Sequence, residues 1–558
     1  MMNILKQKMT KQHFGMKDKK NIINILAISV CVILFSIIPL KILFPVDFHS
    51  VDGYHEDLTV FSQIVVNNWL ADGLVHDKFM IYGDFESVEF ENNHNRCTYL
   101  SYPPGSFVPL YWMARATGQN EISVAFVKAF IQSEYYLSIL LLSFLFYLYL
   151  KYLGVKSRFL VIFLPVLFSS LWAFLPYNVY YMHNVYFTDQ AVILLSIAFF
   201  LIEIALYTRR LQRGEFFLQI LSCVILFAGI LTDYYFYCIA LVAVCFRIIR
   251  NFQKHPARSF TFKLLSHTWP LMVSASIASA LFFIQLLHAS DGIKLLMVTF
   301  FIRAGSGTEW GGIRELAHHF GNGFTVFFIP VLIFVTVFCL VFPFIGRRFG
   351  EQKRTILNGL SLAVLSSVLH TVVLREHSII HPFSMLKYNL VFVFIIFAFF
   401  CWLYLDYRDA VFDRSRKCFK ASSALTICAV IVFIFGVQGY NQNFYRGRMS
   451  RADDRSIARF IRAYTNYDDV VYSPDYEIPW NPPQDLAISR KRVYQVTSPQ
   501  DIPIDLLPAK AIINVLISSE TLTDPVWNKL GTGRSFSGTS RNLYLFKFRK
   551  TDFRSAMD

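Results

Sequence analysis

Charge is scarce in this sequence. Asp, Glu, Lys and Arg make up 16% of its 558 residues, whereas 55% are hydrophobic and 17% aromatic. Soluble globular domains carry about 25% charged residues, so an ordinary water-soluble fold is excluded and the apolar excess must face lipid. Paired cysteines are missing as well. None of the nine cysteines forms a C-x-x-C pair, and most lie inside apolar runs (Cys31, Cys223, Cys238, Cys245, Cys339, Cys401, Cys428). Only Cys97 falls in a segment assigned outside the cytoplasm, so neither a disulfide framework nor a cysteine zinc site is indicated. The chain also lacks internal repeats, low-complexity tracts and an H-E-x-x-H motif. Acidic residues are the minority charge, 38 against 53 basic, for a net charge of +15. The Lys and Arg residues stand in short clusters between apolar runs rather than on one continuous face, so the excess is a topology signal and no nucleic-acid partner is expected.

What is abundant is long apolar runs. About 20 residues at roughly 1.5 Å each cross a hydrocarbon core of about 30 Å. The first candidate, Ile22 to Phe44, follows a basic leader and is too long for a signal-peptide core, so it is expected to be retained with residues 1–21 in the cytoplasm. Further spans are expected at Phe130–Leu150, Phe159–Tyr181, Ala191–Tyr207, Phe216–Thr232, Tyr234–Ile249, Ser266–Leu287, Phe324–Ile345, Ile356–Leu374, Phe383–Leu405 and Ala421–Val437. The total is about eleven, with nine and thirteen as the neighbouring counts. Alternate connections carry the basic clusters, among them Lys151, Lys156 and Arg158, then Arg209, Arg210 and Arg213, as the positive-inside rule requires.

An odd number of crossings places the C-terminal tail outside. The resulting expectation is a polytopic α-helical membrane module over residues 22–439, with a large first extracytoplasmic loop at 45–129 and a small extracytoplasmic α/β domain at 440–558. Within the loop, Leu58, Phe61, Ile64, Val65 and Trp69 recur at helical spacing. That pattern predicts an amphipathic helix over 54–72 lying along the membrane surface and ending at Gly73. In the tail, 455–464 has helical character, and Val470–Tyr472, Ala511–Ile517 and Leu543–Phe548 are predicted strands.

Acidic residues gather at the outer ends of the spans: His55-Glu56-Asp57 at the start of the loop helix, Asp189 after His183 and Thr188, and Asp233 in a tight hairpin. A proton or ion pathway would place charge deeper in the bundle. Each acid also has a plain structural reading. Glu56, Asp57 and Asp189 suit helix N-termini, and Asp233 suits a turn. The outer face holds one basic cluster, Arg375, His377, His381 and, in the next span, Lys387, where the positive-inside bias predicts few such residues. Phosphate binding accounts for it through forked and charged donors, and lipid headgroups or pairing with Glu376 are the plainer readings. Tyr102-Pro103-Pro104-Gly105 forms a stiff extended step after a polar stretch with Glu86, Glu89 and Glu91, and Arg303 to Gly312 is a Gly-rich outer loop suited to a mobile cover or a plain connection.

This layout resembles the type-C glycosyltransferase superfamily, which includes protein mannosyltransferases, aminoarabinose transferases and arabinosyltransferases. The likeness spans most of the chain. Glu56-Asp57 resembles the acidic motif at the start of the first loop, with the order of acids departing from the more common Asp-first pattern. Tyr102-Pro103-Pro104-Gly105 resembles the later Pro-rich step, and Thr188-Asp189 the second acidic position. The resemblance implies an inverting transfer of a sugar from a polyprenyl-phosphate donor to a protein, lipid or glycan acceptor. It makes Asp57 the general base, with Glu56 as the other candidate, and Asp189 an orienting acid. Arg375, His377, His381 and Lys387 would then serve the leaving phosphate, with His183, Asp233 and Tyr102 near the substrates. Some relatives use a divalent cation (Mg or Mn) and others none, which three separated carboxylate sites leave open.

Two other readings remain beside it. An O-antigen ligase or polymerase tends to carry its principal loop between late spans, and a lipid or solute transporter is expected to show repeats and broken spans. The absence of paired outer cysteines and the short basic loops favour a bacterial inner membrane, with the N-terminus cytoplasmic and the C-terminal domain periplasmic.

Overall fold

The structure, a computed structural model, describes residues 21–46, 48, 56–82, 99–208, 215–254, 259, 261, 268–289, 292–305, 312–323, 328–345 and 350–407. In the C-terminal part it describes residues 460–461, 463–465, 470–474, 493–496, 502, 512–518, 534–537 and 542–549. His55, the Glu86–Glu91 stretch, Cys97, the cover residues 306–311 and the expected span Ala421–Val437 lie outside the described residues.

The described helices run in chain order α1 (Asn21–Leu43), α2 (Asp57–Asn68), α3 (Phe107–Ala116), α4 (Val124–Tyr152), α5 (Arg158–Ala173), α6 (Pro176–Asn184), α7 (Thr188–Tyr207) and α8 (Glu215–Ile230). They continue as α9 (Tyr235–Lys254), α10 (Trp269–His288), α11 (Gly292–Ala304), α12 (Gly312–Gly323), α13 (Phe328–Ile345), α14 (Glu351–Val373), α15 (Arg375–Ile380) and α16 (Leu386–Tyr407). Every expected span that falls on described residues coincides with an apolar helix except Phe159–Tyr181, which is broken in two. Seven helices are long and apolar enough to cross a membrane, or eight if one bent pair is a single span, and Glu215–Ile230 and Phe328–Phe342 are apolar but shorter. The chain is thus a polytopic helical membrane protein. A count of eleven depends on those two shorter helices and on Ala421–Val437.

The bent pair is the expected span Phe159–Tyr181, which is two helices, α5 and α6, at 72° to one another. Proline is the cause. The residue before a proline is driven out of the α region, and Leu175, before Pro176, has ψ 141°. The break turns α6 inward, so that all nine of its residues are buried.

The loop helix also differs from expectation. α2 forms where the periodicity places it and runs through a π-turn (Trp69–Gly73) to Gly73, whose φ is +97°. Its polar side, however, is covered by protein. Nine of its twelve residues are buried, because Gln63 and Asn67 donate to the Ile122 carbonyl and Thr59 and Ser62 donate to the carbonyls of Asn184 and Tyr186. α2 is therefore a packed strut between the loop and the bundle, not a half-exposed surface helix.

The stretch between the expected spans Ser266–Leu287 and Phe324–Ile345, which includes the Gly-rich loop read from Arg303 to Gly312 as a mobile cover or a plain connection, contains α11 and α12. α11 spans only 13 residues, too few to cross, and ends at Gly305 in the left-handed region (φ +88°). Met297, Val298, Phe300, Phe301 and Ile302 on it are exposed, an apolar face suited to lipid.

In the C-terminal part, strands β1 (Val470–Ser473), β2 (Val493–Gln495), β3 (Ile512–Ser518), β4 (Arg534–Ser537) and β5 (Asn542–Arg549) make one sheet in the order β2-β1-β3-β5-β4. β1 pairs in parallel with β2 and β3, and β5 is antiparallel to β3 and β4. Three of these strands are predicted from apolar runs. β2 and β4, of three and four residues, carry no such run.

At the far end of α7 from Asp189, Glu203 accepts hydrogen bonds from Arg247 of α9 and Ser222 of α8. At about 1.5 Å per residue, that clasp lies roughly 20 Å along the helix from the acidic end, so it serves the bundle and not the outer site.

Candidate active site

Seven separate segments deliver charged and aromatic side chains to one region. The Pro-rich step supplies Tyr102 because Gly105 allows the chain to lie against the α8–α9 hairpin: its N–H donates to the Leu231 carbonyl at 2.6 Å, and a Cβ there would collide with that carbonyl. The docked loop stacks Tyr102 on Tyr234, ring centroids 5.5 Å apart, and brings its hydroxyl to 3.0 Å from His377 Nε2. Burial keeps the Tyr102 phenol protonated by raising its pKa well above the usual value.

Asp189 stands in the first turn of α7, but Phe187 occupies the N-cap position and the Asp189 side chain makes no cap. Its carboxylate instead faces an ammonium and an imidazole. Lys387 Nζ lies 3.2 Å from Oδ1 and His377 Nε2 lies 3.7 Å from Oδ2, all three side chains being buried. Lys387 Nζ is also 3.1 Å from His370 Nδ1 and 5.5 Å from the ring centroid of Tyr235. Burial lowers the pKa of His377, with Asp189 acting in the opposite sense.

Asp233 does fill its expected turn role. Its Oδ1 accepts from the Tyr235 N–H at 2.7 Å, which caps α9. The same carboxylate lies 3.8 Å from His370 Nε2. Burial, reinforced by the Asp189 charge, pushes its carboxyl up to about 6. A carboxyl with a raised folded-state pKa stabilises the fold when protonated, and that contribution is lost as pH rises through the folded value. Asp233→Asn keeps the cap acceptor and removes the charge. Its thermal midpoint is expected to exceed that of the wild type at pH 8, with the gap closing as pH falls from 6 towards 4; a variant less stable at pH 8 would show that the charge is needed in the fold.

The other expected residues are placed as follows. Glu56 sits at the N-cap position of α2 without capping it, and its carboxylate is bound by Lys128 Nζ at 2.9 Å, both groups buried. Asp57, in the first turn, is only partly buried and makes no ion pair with a described residue. It precedes Thr59, whose hydroxyl donates to Asn184 and accepts from the Tyr186 N–H, so α2 is fastened to the segment that leads into Asp189. His183 is buried between Tyr135 and Tyr136, with ring centroids 5.0 and 6.2 Å away, and is not among the groups facing Asp189. His381 packs on His377 at 4.7 Å and on Phe383 at 4.9 Å. Arg375 donates to the Gly305 carbonyl at 3.3 Å, tying α15 to the end of α11.

Two residues outside the sequence-based set belong to this region. His370, in the last turn of α14, bridges Lys387 and Asp233. Arg303, at the end of α11, lies over the Tyr102 ring at 4.4 Å and donates to the Ser101 carbonyl at 3.0 Å. It makes no ion pair with a described carboxylate. A sequence signal for both existed: each is a basic residue at the outer end of an apolar helix, against the positive-inside bias.

A divalent cation fits this donor set poorly. Lys387 and His377 face Asp189, Tyr235 and His370 engage Asp233, and Lys128 holds Glu56. Among the described residues no group of three or more His, Cys, Asp and Glu side chains is arranged to hold a metal.

No family model matches the sequence, and no curated protein matches it. Solved structures do match it in fold. ArnT from Cupriavidus metallidurans bound to undecaprenyl phosphate aligns with a TM-score of 0.54 at 13% identity, over 92% of this chain and 97% of that one. The archaeal oligosaccharyltransferase AglB from Archaeoglobus fulgidus, in complex with an inhibitory peptide and a dolichol-phosphate, aligns with a TM-score of 0.51 at 11% identity, over 96% of this chain and 74% of that one. The same archaeal enzyme in complex with Zn and sulfate aligns with a TM-score of 0.50 at 11% identity. The likeness is one of fold, which this chain shares with ArnT and with the archaeal oligosaccharyltransferase.

Proposed function

We propose that the protein is an inverting glycosyltransferase that moves a sugar from a polyprenyl-phosphate donor to an acceptor at the extracytoplasmic face of a bacterial inner membrane. The observation that carries this reading is Arg303. It is a partly buried guanidinium without a described carboxylate partner, set beside the buried Asp189–Lys387–His377 cluster. A desolvated cation of this kind favours an anionic ligand, and its planar fork suits phosphate oxygens. The exposed apolar face of α11, which carries Arg303, suits a lipid-borne anion. Both fold neighbours are described with a polyprenyl phosphate bound.

In this mechanism Asp57 takes the proton of the acceptor hydroxyl or amine as the acceptor attacks the anomeric carbon. The bond from that carbon to the phosphate oxygen breaks on the opposite face, and the phosphate leaves with the electron pair. Arg303 stabilises the charge that grows on it, the step at which preorganised donors act most strongly. The His377–Tyr102 hydrogen bond holds the pocket wall, and Asp189 keeps His377 and Lys387 in place. Glu56 is a structural partner of Lys128. The N-terminus is cytoplasmic and the C-terminal sheet periplasmic in this arrangement.

The test supplies purified wild-type protein with a panel of polyprenyl-phosphate sugars and with protein, lipid and glycan acceptors, and follows free polyprenyl phosphate. Acceptor-dependent release is expected. If no donor in the panel is consumed, the ligase and transporter readings move ahead.

A further inference from the structure

Asp189 has its counter-ion built into the chain. Lys387 extends from the first turn of α16 and is fully buried, its ammonium pairing with the Asp189 carboxylate at 3.2 Å and lying 3.1 Å from His370 Nδ1 and 5.5 Å from the ring centroid of Tyr235. His377 lies 3.7 Å from Asp189 and Asp233 lies 3.8 Å from His370. Two carboxylates and two imidazoles, the side chains that hold metals elsewhere, are therefore chained through one lysine, which contacts Asp189 and His370 directly. The Asp189 charge is balanced by Lys387 without an added ion. A divalent cation would bring two surplus charges into a closed region, or would have to expel the ammonium.

We propose that the Lys387 ammonium is the resident cation of this site, doing for Asp189 what a divalent ion does in a metal-dependent site, so that the protein works without a metal. The word "works" rests on the glycosyltransferase reading, whereas the charge arrangement stands by itself. Lys387 is then a positioning residue. It fixes the Asp189 carboxylate and through it the His377 ring, and the leaving phosphate belongs to Arg303.

The experiment uses the full chain in nanodiscs. After EDTA treatment, wild-type protein is expected to keep its thermal midpoint, to keep its rate with any donor it consumes, and to bind no Mn2+ detectable by electron paramagnetic resonance. Lys387→Met is expected to lower the thermal midpoint at pH 8 and much less at pH 5. In that variant the buried Asp189 carboxylate has lost its partner, so protonation relieves it. Asp233 in the α8–α9 turn, His370 on α14, His377 on α15 and Tyr235 on α9 also face the lysine, and wild-type protein scanned over the same pH range corrects for their titration. The double variant Lys387→Met/Asp189→Asn, with neither charge, is expected to regain most of the lost stability, a coupling that independent sites do not show.

The proposal is overturned if wild type binds Mn2+ stoichiometrically, if EDTA abolishes turnover and Mn2+ restores it, or if the two substitutions are additive. If Lys387→Met fails to accumulate while the double variant does, the proposal gains the same support; if neither accumulates, the wild-type metal arms decide it. Absence of turnover with every donor counts against the glycosyltransferase reading alone and leaves the Mn2+ and stability arms to judge this one.

Discussion

Asp57→Asn is expected to reduce transfer by about 100- to 10,000-fold, the usual contribution of a positioned general base, while leaving the thermal midpoint close to that of the wild type. The contrast is with its neighbour. Asp57 is partly exposed and makes no ion pair with a described residue, so its amide leaves no buried partner behind. Glu56 is buried against Lys128, and removing one member of a buried ion pair typically costs about 3–5 kcal/mol because the other charge is left uncompensated. Glu56→Gln is therefore expected to show its defect as lost stability, with the surviving folded protein retaining much of its rate. Comparing single-turnover rates on folded protein separates the two. A stable, inactive Glu56→Gln beside an active Asp57→Asn would transfer the role of base to Glu56.

Arg303→Ala is expected to lower kcat/KM for the donor by about 100- to 1,000-fold, the scale on which loss of a single preorganised transition-state donor is felt. It should also weaken binding of free polyprenyl phosphate. Arg303→Lys retains the charge but neither the fork nor the planar stacking over Tyr102, and so is expected to recover only part of the loss. Arg375→Ala is the control on the same face. Its guanidinium donates to the Gly305 carbonyl and ties α15 to α11, so its effect is expected to be smaller and to fall on stability. Unchanged donor KM and unchanged polyprenyl phosphate affinity in Arg303→Ala would remove this residue from the site and return the leaving group to the Arg375 cluster.

The membrane-embedded character of the chain was legible from composition, because apolar runs near 20 residues have few other uses in water. The helices that carry Asp189 and Lys387, and the pair that flanks Asp233, follow from that pattern, as does the loop helix that starts at Asp57. The break between α5 and α6 was legible in principle from Pro176. A proline's effect on its predecessor is local and independent of what packs nearby.

Hydropathy could not say which charges meet. It is a one-dimensional average, and Tyr102, Asp189, Asp233, Arg303, His370, His377 and Lys387 are spread over nearly 300 residues of chain. Lys387 and His377 read in sequence as a pair of cations on the outer face, available to a phosphate. In the folded chain both are turned towards Asp189, because a buried carboxylate in a low-dielectric interior demands its counter-charge first, which Lys387 supplies. Arg303 shows the converse. In sequence it is one residue of a Gly-rich connection, and only the packing of α11 against α15 and α10 sets it over Tyr102. Residue types and helix periods, being local, were determined by the sequence alone. The pairing of charges was decided by tertiary structure, since it depends on distances between helices that hydropathy does not encode.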